Sequence, residues 1–166
     1  MFEYFYNEIL RSCIIGFGSL FNGLEVQHTN DNGTQSIIQV PIAYGPTQKF
    51  LARLQQEAQL NRPVQMTLPR MSFEFTSLTY DPSRKTTKTQ SFLTTTPDGS
   101  EIKRVYAPVP YNMGFTLSIY TKLNDDMLQI VEQILPYFQP HYNLSIKFLG
   151  NLNEIRDCLL YTSDAA

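Results

Sequence analysis

Apolar side chains recur at helical spacing over residues 4–21, at Phe5, Ile9, Cys13, Phe17 and Leu20, with Tyr6, Leu10 and Ile14 alongside. This spacing predicts a first helix. Gly16 and Gly18 weaken its last turn or let another backbone approach closely. Two β-prone runs follow, residues 24–28 and 36–42, around Asp31-Asn32-Gly33. Asn and Gly tolerate positive φ, so the pattern predicts a hairpin. A second helix is expected after Gly45-Pro46, with Phe50, Leu51, Leu54 and Ala58 as its apolar stripe and Lys49, Arg53, Gln56 and Glu57 on its wet side. Asn61-Arg62-Pro63 ends it. Residues 71–80 read as a strand with Met71, Phe73 and Phe75 on one face, broken by Asp81-Pro82.

Residues 83–104 change character. They are rich in Thr and carry Arg84, Lys85, Lys88, Lys103 and Arg104, out of 13 basic residues in the chain. Pro97-Asp98-Gly99-Ser100 divides them into two polar arms. The segment predicts an exposed β-hairpin arm projecting from the body, because its apolar content, chiefly Phe92 and Ile102, is too small for a core of its own. These five basic residues are the candidate interaction residues, for docking on an acidic protein neighbour ahead of a merely solvated arm, with nucleic acid behind both.

Strict alternation returns at residues 111–120, where Tyr111, Met113, Phe115, Leu117 and Ile119 form one face of a half-buried strand. Asn124 is then placed to cap a helix, with Asp125 and Asp126 in its first turn, where carboxylates complement the dipole. Met127, Leu128, Ile130, Val131, Ile134 and Leu135 cover most of that helix, leaving Gln129, Glu132 and Gln133 as a narrow polar stripe. Pro136 stops or kinks it, and Leu144, Ile146 and Phe148 mark a last strand. The order of elements predicts a single α+β domain: a largely antiparallel or mixed β-sheet with helices packed on one face, plus the hairpin arm. A chain of 166 residues fits one such domain.

Composition narrows the function by exclusion. The formal charge of −2 is not that of a dedicated nucleic-acid binder. No stretch approaches the length of a membrane helix, and Met1 to Glu8 is acidic where a signal peptide is basic. Only two histidines occur, His28 and His141, neither with a partner at metal-ligand spacing. Asp125 and Asp126 are adjacent on a helix and point about 100° apart, unlike an acid–base pair facing across a pocket. Gly16-Phe17-Gly18 lacks the third glycine of a dinucleotide site. Cys13 reads as a buried, inert thiol. No catalytic residue, cofactor or metal site is expected.

Several segments together resemble the tail sheath stabiliser and completion proteins of large contractile-tailed phages. The longest runs from Asn124 through Leu135-Pro136-Tyr137-Phe138-Gln139-Pro140 to Asn143. Supporting matches are Met1-Phe2 with Tyr4-Phe5-Tyr6-Asn7, Val40-Pro41-Ile42 with Tyr44, Leu68-Pro69-Arg70, Leu117-Ser118-Ile119-Tyr120-Thr121, and Arg156-Asp157. The resemblance implies a virion structural protein without catalysis or cofactor. It further implies a hexameric ring on the head-proximal end of the tail, assembled in the host cytoplasm, whose partners are further copies of itself, the sheath protein, the tail-tube terminator and neck proteins. A tail-tube terminator or other neck component is the alternative, with a nucleic-acid-binding accessory protein behind it.

Residues 158–166 look foreign to that pattern. Cys158-Leu159-Leu160-Tyr161-Thr162-Ser163-Asp164-Ala165-Ala166 matches one reading frame of a transposase sequencing adapter. The expectation is a tail-completion domain over 1–157, truncated at its C-terminus, followed by an adapter-derived peptide that does not pack on it and forms no disulfide with Cys13.

Overall fold

A computed structural model describes residues 4, 6–29, 33–55, 67–149 and 154–162. Its elements follow the order α1 (Ile9–Leu20), β1 (Glu25–Thr29), β2 (Gln35–Gln39), β3 (Ile42–Tyr44), α2 (Thr47–Gln55), β4 (Arg70–Tyr80), β5 (Ser91–Thr95), β6 (Ile102–Tyr106), β7 (Tyr111–Tyr120), α3 (Asn124–Ile134), β8 (His141–Leu149) and β9 (Glu154–Tyr161). The fold is α+β. Strands β1–β2, β5–β6 and β8–β9 form antiparallel pairs, and β3-β4-β7 form a three-stranded sheet with β3 parallel to β4. Two compact units emerge, one of Phe17–Thr76 and Phe115–Gln139, the other of Met1–Gly16, Ser77–Gly114 and Pro140–Ala166. Helix α1 and strands β4 and β7 each run through both as continuous elements.

In the first unit the predicted hairpin forms, with Val26 opposite Ile38 and Gly33 at φ +76, a conformation glycine adopts without steric cost. Asp31 and Asn32 lie outside the described residues. Strand β2 stops at Gln39, short of the expected Ile42. Val40 still donates its N–H to Leu24 O, but Pro41 has none to give, so the ladder ends there. The chain then enters β3, where Ile42 pairs with Met71. Phe21, Val26, Val40, Met71 and Ile130 form the buried core, lined by Phe17, Leu24, Leu117, Ile119 and Ile134. Phe17 stacks on Phe115 with ring centroids 4.4 Å apart. A Cβ on Gly18 would fall 2.6 Å from the Phe73 ring, so only glycine lets α1 come this close to β4.

The other face of the same sheet is also covered, which departs from the one-faced arrangement that the sequence predicts. Side chains alternate, so Ser72, Ser118 and Tyr120 point away from Met71, Leu117 and Ile119. Ser72 Oγ lies 3.0 Å from Tyr120 Oη, Thr47 Oγ1 lies 2.8 Å from Ser118 Oγ, and the Phe50 ring of α2 is 5.8 Å from that of Tyr120. Serines and a tyrosine read as a solvent face in sequence; here their hydroxyls satisfy one another beneath α2. Phe50 is buried, whereas Leu51 and Leu54 of the predicted stripe are exposed. Ala58 and the predicted helix end at Asn61-Arg62-Pro63 lie outside the described residues.

In the second unit α1 begins at Ile9, later than predicted, because Glu8 has φ 55 and cannot continue a right-handed helix. Gly16 packs against β8: a Cβ there would lie 3.1 Å from Leu144 and 3.2 Å from Ile146. Cys158–Tyr161, expected not to pack, forms the second half of β9. His141 pairs with Tyr161 and Leu144 with Cys158. The physical reason is local: Leu159, Leu160 and Tyr161 are apolar, Tyr161 favours strands, and β8 offers them a row of backbone partners.

Candidate interaction surfaces

The five basic residues do not form one patch of free charge. Arg84 belongs to a tight turn after β4. There Asp81 Oδ1 accepts from the Ser83 N–H (3.0 Å) and hydroxyl (2.6 Å), and Asp81 Oδ2 accepts from Arg84 Nε (2.6 Å). Arg84 Nη2 also donates to Asn112 Oδ1. The Ser83 hydroxyl, then the Arg84 guanidinium, hold the Asp81 carboxyl down at about 2 from an ordinary 3.8. Arg84 therefore closes a turn. Lys103 Nζ sits 3.3 Å from Glu101. Lys85, Lys88 and Arg104 are exposed, and among the described residues they form no ion pair.

The predicted hairpin is present as β5–β6, with its turn at Gly99 in positive φ. Its register separates two faces. Phe92 lies opposite Val105, and the Arg156 guanidinium sits 5.0 Å from the Phe92 ring centroid, so this face is half-buried. The opposite face carries Tyr106, Leu93, Arg104 and Ile102, with Leu93 directly across from Arg104. Leu93 is 68% exposed, Ile102 72% and Tyr106 66%. The sequence reading missed Leu93 and Tyr106. Pairing the two arms about Gly99 and reading alternate positions would have found them.

Helix α3 buries the expected Ile130 and Ile134 but departs from the expected pattern at its cap and at its glutamines. Asn124 does not cap it; Leu123 occupies the cap position without a side-chain bond, and Asn124 is the first helical residue. Two glutamines of the predicted wet stripe face β1, while Glu132 and Asp125 stay exposed. Gln129 Oε1 accepts from Gln27 N at 2.9 Å, its Nε2 donates to Gln27 O at 3.1 Å, and Gln133 Nε2 donates to Glu25 O at 2.7 Å. The glutamine amides thus take the place of a neighbouring strand at the open edge of β1. Ile130 is buried between them, while Met127, Leu128 and Leu135 are exposed on the far side. Glu132 lies one turn from both Leu128 and Leu135, and Asp125 one turn before Leu128, so acids flank this stripe; α3 carries no basic residue.

Two pairings escaped the sequence reading. Asp126 is 3% exposed, and its Oδ1 lies 3.3 Å from His28 Nε2 across the α3–β1 boundary, near enough for a charge contact but accepting no hydrogen bond. Each pair joins a helix to a strand far away in sequence, which hides it from local periodicity. Cys13 and Cys158 are both free thiols and meet: the Cys158 sulfur is held at about 7 by the hydrogen bond that Cys13 donates, and that bond and burial raise Cys13. The ring of His141 lies 5.9 Å from that of Tyr161. Among the described residues no group of His, Cys, Asp and Glu has the arrangement of a metal site.

A family model described as the T4-like virus Myoviridae tail sheath stabiliser matches residues 4–163. The chain belongs to that family. It is also similar to the tail completion protein gp15 of Enterobacteria phage T4, at 35% identity over 173 residues. That match covers all of this chain and 63% of the phage T4 protein. The chain is thus a homologue of a structural component of contractile tails. The tail sheath stabiliser relationship takes in both compact units, including the β5–β6 hairpin and α3.

Proposed function

We propose that this protein is a non-catalytic virion component that forms a hexameric ring on the contractile tail. The ring caps and stabilises the sheath at the head-proximal end and contributes to joining head and tail. The family match over residues 4–163 carries this reading. The surfaces suit it: exposed apolar side chains on β5–β6 and on α3 are flanked by charge of opposite sign, as on an assembly subunit. Its partners are further copies of itself, the sheath protein, the tail-tube terminator and neck proteins. Assembly takes place in the host cytoplasm.

Lys85 and Lys88 ahead of β5, Lys103 and Arg104 on β6, and Arg84 at the turn after β4 serve this function as separate charged contacts to acidic protein neighbours. No cofactor takes part. The test is co-sedimentation of the purified chain with extended contractile tails, with its position on them read by gold labelling. Labelling at one end, next to the last sheath disc, is the expected result. Labelling along the sheath, or none, contradicts the reading.

A further inference from the structure

We propose that the outward face of the β5–β6 hairpin of one copy docks on the outward stripe of α3 of the next copy. This rests on the ring reading above and names the two surfaces that would build it. The hairpin offers Leu93, Ile102 and Tyr106 around Arg104, on the face turned away from Phe92 and Arg156. Helix α3 offers Met127 and Leu128, continued by Leu135 in the turn that follows it, beside Glu132 and Asp125. On the hairpin the apolar side chains surround the central Arg104, and on α3 the acids run beside the apolar stripe, so the pairing would set one opposite-charge contact within an apolar surround. Their charges are opposite, so like meets unlike in this pairing, whereas hairpin on hairpin or helix on helix would set like charges together. That sign rule selects a second copy in head-to-tail order. A heterologous contact of this kind leaves one unused surface at each end of a dimer, and a ring closes when the last surface meets the first.

Both faces are built for exposure. The hairpin is paired strand to strand, so its outward side chains are not needed to hold it, and α3 is fixed from the other side by Ile130 and its glutamines. Polar substitutions on the outward faces therefore leave the fold in place, which circular dichroism verifies.

The experiment uses two variants of the full 166-residue chain, Leu93→Asp with Ile102→Asp, and Leu128→Asp with Leu135→Asp, weighed by native mass spectrometry. The wild type is expected to form closed rings and each variant alone to stay monomeric. Mixed together, the two variants should form one-to-one dimers and nothing larger, since one intact hairpin then meets one intact helix. Arg104→Glu should weaken assembly about tenfold, and adding Glu132→Arg should restore it. Rings that persist in either double variant, or a mixture that stays monomeric, overturn this pairing and leave the ring reading standing. Helix variants that still form rings but no longer bind tails assign the α3 stripe to another protein, and overturn it as well. A monomeric wild type, even with extended tails present, overturns the ring reading and this inference with it.

Discussion

At the scale of single residues, the fold depends on side chains that the polar and apolar pattern undervalues. Gly18 lacks a Cβ where the Phe73 ring already stands, and that ring is held by Phe17 and Tyr44. Gly18→Ala should therefore destabilise by about 1–3 kcal/mol, as overpacked cores do, measured by denaturant unfolding. Tyr120→Phe keeps the ring against Phe50 but strands the hydroxyl of buried Ser72, at a cost of about 1–3 kcal/mol; Tyr120→Phe with Ser72→Ala should recover most of it. Asp81 makes a prediction in pH. Its pKa of about 2 lies below the ordinary 3.8, so its ionisation favours the folded turn, fully above the ordinary value, and this support is lost as pH falls through about 2. Asp81→Asn should abolish that acid-dependent step, read as the loss of exchange protection at the Ser83 amide. An unchanged profile in the variant would assign the step to other carboxylates.

At the scale of elements, α3 and the β1 edge stand or fall together. The Gln129 amide serves both backbone groups of Gln27, as a neighbouring strand would, and Gln133 serves Glu25. Gln129→Ala should cost about 1–2 kcal/mol and leave the β1 edge open to another chain, so aggregation on mild heating should rise. Gln133→Ala should act in the same direction with a smaller effect, since it loses one bond to β1 rather than two.

Element positions were largely legible in the sequence, because periodicities of 3.6 and 2 report burial on one face. What was not legible is which polar residues are engaged by other elements of the fold. Gln129, Gln133, Ser72 and Ser118 look like solvent positions until a strand edge or a second helix is brought to them. The same limit applies to the interaction surfaces. Arg84, Lys85, Lys88, Lys103 and Arg104 were found as a charge cluster, but the fold ties Arg84 into a turn and Lys103 to Glu101, and it adds Leu93 and Tyr106 by cross-strand register.

At the scale of the whole molecule, membership of the tail sheath stabiliser family and two oppositely charged apolar surfaces point to assembly as the task. The chain spans 63% of the phage T4 protein's length, yet it contains both surfaces on which the proposed ring depends. Central to this account is the claim that the protein keeps a contractile tail extended and ready to receive a head. The most direct measurement is complementation. A T4-like phage whose own sheath stabiliser gene is disrupted is grown with this chain supplied in trans, and its tails are scored by electron microscopy. Extended tails joined to heads are expected when the wild-type chain is present, and far fewer with the Leu128→Asp, Leu135→Asp variant. Tails that remain unstable and headless with the folded wild-type chain present would contradict the claim.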